Sequence, residues 1–128
     1  MNINNYEGIP YSLRPIDGCL NCWGLVALVY RNEVGKDIPM FNAGNLSGIS
    51  RAFTAAFASG EHGFSVVNEC IDFDVVVFIN DRGARSEYHC GIIYNNKVLH
   101  ATNKIGQVVY QALDVASKGF NRVEFWRR

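Results

Sequence analysis

The hydrophobic positions of this chain change period partway along it. Leu25, Val26, Leu28 and Val29 recur at helical spacing and predict a helix over residues 20–34, with Gly35 as its stop and Pro39 soon after. Ile49, Ala52, Phe53, Ala56 and Phe57 form a second apolar stripe. It predicts another helix over 46–59, ended by Gly60. After Gly63 the texture becomes that of strands. FSVVN is a short one, and DVVVFIN (74–80) is the continuous apolar run of a strand buried on both faces. DRGARS reads as a turn or loop. EYHCGIIY and KVLHAT flank Asn95-Asn96, a pair suited to a tight hairpin turn. VVYQAL and RVEFW follow.

Helices first and then about five strands is the segregated α+β pattern: a helical part packed on a mostly antiparallel sheet. Residues 2–18 are rich in Asn, Gly and Pro and read as an irregular lead-in. No repeat or linker divides the 128 residues, so a single domain over 1–128 is expected. Hydrophobic residues make up 48% and charged ones 19%, an ordinary globular balance. The formal net charge is zero, which gives no electrostatic case for a nucleic-acid partner. No apolar run reaches membrane-spanning length, so no membrane insertion is expected. MNINNYEGIPYS has neither a basic start nor an apolar core, so no signal peptide is read there. Synthesis in a reducing cytoplasm follows, where four cysteines serve as thiols or ligands rather than as a disulfide framework.

The candidate chemistry lies in GCLNCWGLVALVY (18–30). A cysteine thiolate is stabilised at a helix N-terminus by unpaired N–H groups and the macrodipole. Cys22 falls where the first helix should begin, with Asn21 able to cap it and Gly24 leaving the first turn open. Cys19 falls in the preceding loop. A thiol nucleophile needs a base, and histidine has a suitable pKa. His62 sits in a predicted loop, whereas His89 and His100 sit on the two arms of one predicted hairpin. With Asn95-Asn96 as a two-residue loop, Tyr94 pairs with Lys97, His89 stands opposite Thr102 and His100 opposite Gly91. The two imidazoles then share one face as diagonal neighbours. Cys90 alternates to the other face and is expected in the core.

These pieces resemble, in order over almost the whole chain, the NlpC-type papain-like cysteine peptidases that cleave peptidoglycan stem peptides. GIPYSLRPIDGCLNCWGLV resembles the family's lead-in and nucleophile motif. FDVVVF resembles its Gly-Asp-Leu-Val-Phe-Phe strand. YHCGIIYNNKVLHAT resembles its His-Val-Gly-Ile-Tyr strand and the hairpin ending in His-Ala. The resemblance implies a papain-like α+β fold with the nucleophile at a helix start. It implies Cys22 as nucleophile, His89 as base and His100 as the orienting third residue. Tyr11 matches an upstream tyrosine whose hydroxyl helps hold the oxyanion with the Cys22 N–H. No cofactor and no metal are implied. The implied bond is γ-D-glutamyl to diaminopimelate. NCWGLVALVYRNEVGKDIP is similar to the single-domain versions in phage tail assembly proteins, which implies tail-protein partners and delivery to the wall by a tail or a secretion machine. The chain departs from the family pattern at Asn21, at Phe73-Asp74, at Cys90 and in SLRPIDG, where a Gly-Gly is missing.

Other readings stand beside this one. A structural zinc site needs four ligands, commonly from two paired motifs, and only one CxxC is present. A thioredoxin-like use needs that CxxC after a strand. A non-enzymatic tail-assembly module, or a free-standing antibacterial amidase, would use the same fold. Trp23 reads as helix packing, Asp74 as a carboxylate at a strand start on the surface, Cys19 and Cys70 as free thiols, and His62 as solvated. The loops over 12–18 and 81–86 are where a substrate groove would vary.

Overall fold

A computed structural model describes residues 1–14, 17–38 and 63–128. The expected second helix over 46–59 and His62 lie outside the described residues. A short 3-10 turn, Ile3–Asn5, opens the chain. Helix α1 spans Cys22–Val29 and passes into a π-helical turn, Tyr30–Val34. Six strands follow: β1 Ser65–Val67, β2 Val75–Arg82, β3 Arg85–Tyr94, β4 Lys97–Thr102, β5 Gln107–Ala112 and β6 Arg122–Arg127. A four-residue helix α2, Leu113–Ala116, joins β5 towards β6.

The expected α+β class holds, with one sheet of order β1-β6-β2-β3-β4-β5. Every ladder in it is antiparallel. Among the described residues there are six strands against the expected five or so, and the short strand predicted at FSVVN pairs with β6 at Val66–Trp126. The DRGARS segment is mostly strand. Only Gly83 and Ala84 turn, and β2 and β3 pair as far as Arg82–Arg85.

Helix α1 begins where Asn21, in an extended conformation, accepts a hydrogen bond from the Gly24 N–H at 2.7 Å. That satisfies one of the donors a helix start leaves open. It ends at Gly35, whose φ of +74° suits a residue without a Cβ. Nearly all of α1 is buried, so its apolar character all round is that of a core helix. It packs on one face of the sheet, with Val75, Val77, Ile79, Cys90, Ile92, Leu99 and Ala101. Trp23 meets the Phe64 ring edge-on, a packing role as expected.

Val75 to Ile79 of β2 are all buried, as their continuous apolar run predicts. The alternate residues Val76 and Phe78 point to the second face, with Ile93, Val98 and Ala116. Asn95 and Asn96 both take positive φ, the conformation of a two-residue hairpin turn whose twist matches its strands. The predicted register follows: Tyr94–Lys97, Ile93–Val98 and Ile92–Leu99. Asp74 departs from expectation. It is 2% exposed, not at the surface. Both its carboxylate oxygens accept from Arg127 at 2.8 Å, and one also accepts the Ile71 N–H. A carboxylate at this depth is tolerable because a bidentate partner and a backbone donor replace its water.

Candidate active site

Cys22 is the first residue of α1 and is 4% exposed. Two side chains act on its thiol, Cys90 and His89. They come from the two faces of β3, since Cys90 pairs with Val77 on the α1 side and His89 with Phe78 on the other. The β3–β4 ladder explains how one thiol reaches both. It has three paired positions, Ile92 to Tyr94 against Lys97 to Leu99. Past Ile92, β3 stays on β2 while β4 stays on β5. His89 and Thr102, expected to be opposite, are therefore beyond the ladder's end. The Cys22 thiol is held well below its usual pKa range, first by the Cys90 hydrogen bond and then by His89, against the opposing effect of burial. Its partner Cys90 is pushed well above the usual range, chiefly by burial and then by Cys22. Of this pair, Cys22 is the more acidic thiol.

His89 Nε2 and His100 Nδ1 are 2.7 Å apart. The expected shared face and diagonal relation are thus observed. Nothing crowds the gap, because Gly91 stands beside it without a Cβ. One built there would lie 2.9 Å from the His100 Cβ and 2.8 Å from the Leu99 carbonyl oxygen. His89 also stacks on Phe78 and Phe120, with interplanar angles of 22° and 13°. These rings fix its plane and leave Nδ1 as the nitrogen not committed to His100. His100 is buried, and its pKa is lowered to about 4 by that burial and by the charge on His89, with a hydrogen bond to Gln111 opposing. It is a neutral imidazole at neutral pH.

Tyr11 reaches the same place from the lead-in. Its N–H bonds to the Gly106 carbonyl at 2.9 Å, and it bridges to Leu20, two residues before Cys22. Its hydroxyl pKa is raised by burial and then by the charge at Cys22, so it stays a proton donor within the field of the thiolate. The four expected residues, Cys22, His89, His100 and Tyr11, are therefore brought together from three parts of the chain.

Two neighbours were not anticipated. Cys90 lies in the core as expected, but that core face is the one α1 covers, so it touches the nucleophile candidate. Gln111 Oε1 lies 2.8 Å from His100 Nε2. Extending the register by one strand would have found it. The NKIG turn sets Thr102 opposite Gln107, hence Val98 opposite Gln111, on the face of His100. Cys19 and Cys70 are free, partly buried thiols. Among the described residues no three His, Cys, Asp or Glu side chains converge as a metal site would require, and no helix is long and apolar enough to cross a membrane.

A thiol of lowered pKa, an imidazole acting on it, a neutral second imidazole behind that and a hydroxyl in its field are the groups that a nucleophile–base–orienter set requires. The fold has a solved counterpart. The NlpC/p60 domain of the peptidoglycan hydrolase SagA matches with a TM-score of 0.57, over 96% of this chain and 91% of that one, at 18% identity. The chain thus has an NlpC/p60-type, papain-like fold. No protein-family model and no curated protein sequence matches it.

Proposed function

We propose that this chain is a cysteine peptidase that hydrolyses an amide bond in peptidoglycan stem peptides. The observation that carries the reading is the His89–His100 pair, 2.7 Å apart, acting on a Cys22 thiol of lowered pKa at a helix start. The likeness to a peptidoglycan hydrolase domain supports the substrate class. The Cys22 thiolate attacks the scissile carbonyl, and the Tyr11 hydroxyl with the Cys22 N–H holds the developing oxyanion. His89 gives its proton to the leaving amine and the thioester forms. Water then attacks that thioester with His89 as base, releasing the acid and the free thiol. His100 touches no reacting atom and keeps His89 in position. The bond is γ-D-glutamyl to diaminopimelate, and the chain reaches the wall with a phage tail. The family resemblance of NCWGLVALVYRNEVGKDIP and YHCGIIYNNKVLHAT supports both.

The test is to incubate wild-type and Cys22→Ala protein with purified muropeptides and read the products by mass spectrometry. A new fragment pair from the wild type alone is expected, and its masses identify the bond. No cleavage, together with a Cys22 that resists an alkylating reagent at neutral pH, would overturn the reading in favour of a non-enzymatic module. A reactive Cys22 without cleavage would overturn the substrate alone.

A further inference from the structure

We propose that Gln111 is a positioning residue that sets the tautomers of both histidines, and so decides whether His89 can act as a base on Cys22. The inference rests on the peptidase reading of the site and deepens it. An amide oxygen only accepts, so the 2.8 Å contact from Gln111 Oε1 requires the proton of His100 to sit on Nε2. Neutral His100 then has its lone pair on Nδ1. That nitrogen is 2.7 Å from His89 Nε2, which must supply the proton between them. With one proton fixed on Nε2, His89 exchanges the other with Cys22 through Nδ1: it can take the thiol's proton there and later pass it to the leaving amine.

The reverse arrangement shows how much depends on this amide. If Gln111 presented its NH2 group, His100 Nε2 would have to accept. His100 would then carry its proton on Nδ1 and donate it to His89 Nε2. Neutral His89 would be forced to hold its own proton on Nδ1, facing Cys22, and could only donate to it. One amide orientation two side chains away thus separates a base from a bystander. The burial that keeps His100 neutral strengthens the coupling, because a doubly protonated ring would carry no tautomeric information. Gln111 is well placed for the task. It lies on β5 opposite Val98, beside His100 on the same sheet face.

The experiment measures the tautomers directly, by two-bond 1H–15N NMR correlations of the imidazoles at pH 7, in wild type, Gln111→Leu and Gln111→Glu. The wild type should show His100 protonated on Nε2 alone and His89 carrying a proton on Nε2. Gln111→Leu, which removes the acceptor, should populate the Nδ1-protonated form of His100. It should also slow cleavage by about 10- to 100-fold in kcat with little change in KM. Gln111→Glu keeps an acceptor on Nε2, so His100 should keep its Nε2 proton and most of the rate should return. Wild-type His100 protonated on Nδ1 would overturn the proposal, as would a Gln111→Leu protein with unchanged tautomers. If Gln111→Leu fails to fold, the wild-type and Gln111→Glu spectra still decide. The tautomer readout needs no substrate, so failure of the muropeptide assay leaves this test standing.

Discussion

The two faces of the sheet at β3 and β4 are built from neighbouring residues and obey opposite rules. On the α1 side, Ile92, Leu99 and Ala101 are fully buried and need only apolar company. One residue along, His89 and His100 face the other side and hydrogen-bond to each other and, from His100, to Gln111. The apolar face tolerates change in proportion to volume lost. The polar face has no such gradation, since a buried nitrogen is either satisfied or not. Strand alternation alone lets one hairpin carry both, and the nucleophile candidate sits where that hairpin opens and both faces come within reach.

Three perturbations break or sharpen this contrast. The largest effect belongs to the apolar face. Ile92→Ala should lower unfolding stability by ~2–5 kcal/mol in urea titrations while Cys22 in the remaining folded protein alkylates at the wild-type rate. A loss of thiol reactivity equal to that of a site variant would show that the faces are not separable. Next comes pH. The folded-state pKa of His100, about 4, lies below its ordinary value, so the unfolded chain binds the extra proton first. Stability from this group is complete above about pH 6.5 and falls by on the order of 3 kcal/mol as pH drops towards 4. Urea curves of Cys22→Ala protein with and without His100→Gln isolate the effect, and parallel losses in both would refute it. The smallest and most local change is Cys90→Ala. It deletes the leading stabiliser of the Cys22 thiolate, so the pH at which Cys22 becomes reactive should move up while His89 remains in place. An unmoved alkylation profile would assign the lowered pKa to His89 and the helix start instead.

Much of this arrangement was legible in the residues, for specific reasons. Asn95-Asn96 fixes a two-residue turn, and a two-residue turn fixes register. The diagonal pairing of His89 and His100 therefore followed from counting. Asn21 marked the start of α1 because a short polar side chain before an apolar run has one good use there. Strand order was not legible. Periodicity says that RVEFW is a strand, but not that β6 enters between β1 and β2. Alternation placed Cys90 correctly on the face away from His89. Alternation does not say that α1 covers that face, so a residue turned away from His89 shares a core cluster with Cys22. Asp74 was misjudged because Arg127, fifty-three positions later, supplies its partner. Gln111 was missed only because the register argument stopped one strand early.

The lead-in segment has a consequence for when the site can exist. Gly8 and Ile9 exchange backbone hydrogen bonds with Val108, Tyr11 bonds to Gly106, and Pro10 and Ser12 hold Leu20 just before Cys22. The first residues of the chain thus clasp the far edge of a sheet made from its last residues. Closing contacts of such long sequence separation costs chain entropy that is recovered only when the sheet is nearly whole. During synthesis Cys22 emerges long before His89, His100 and β5. Until those arrive it lacks the Cys90 and His89 neighbours that lower its pKa. The acidity of Cys22 is therefore a property of the assembled sheet, and a ribosome or chaperone that handles the nascent chain meets an ordinary thiol.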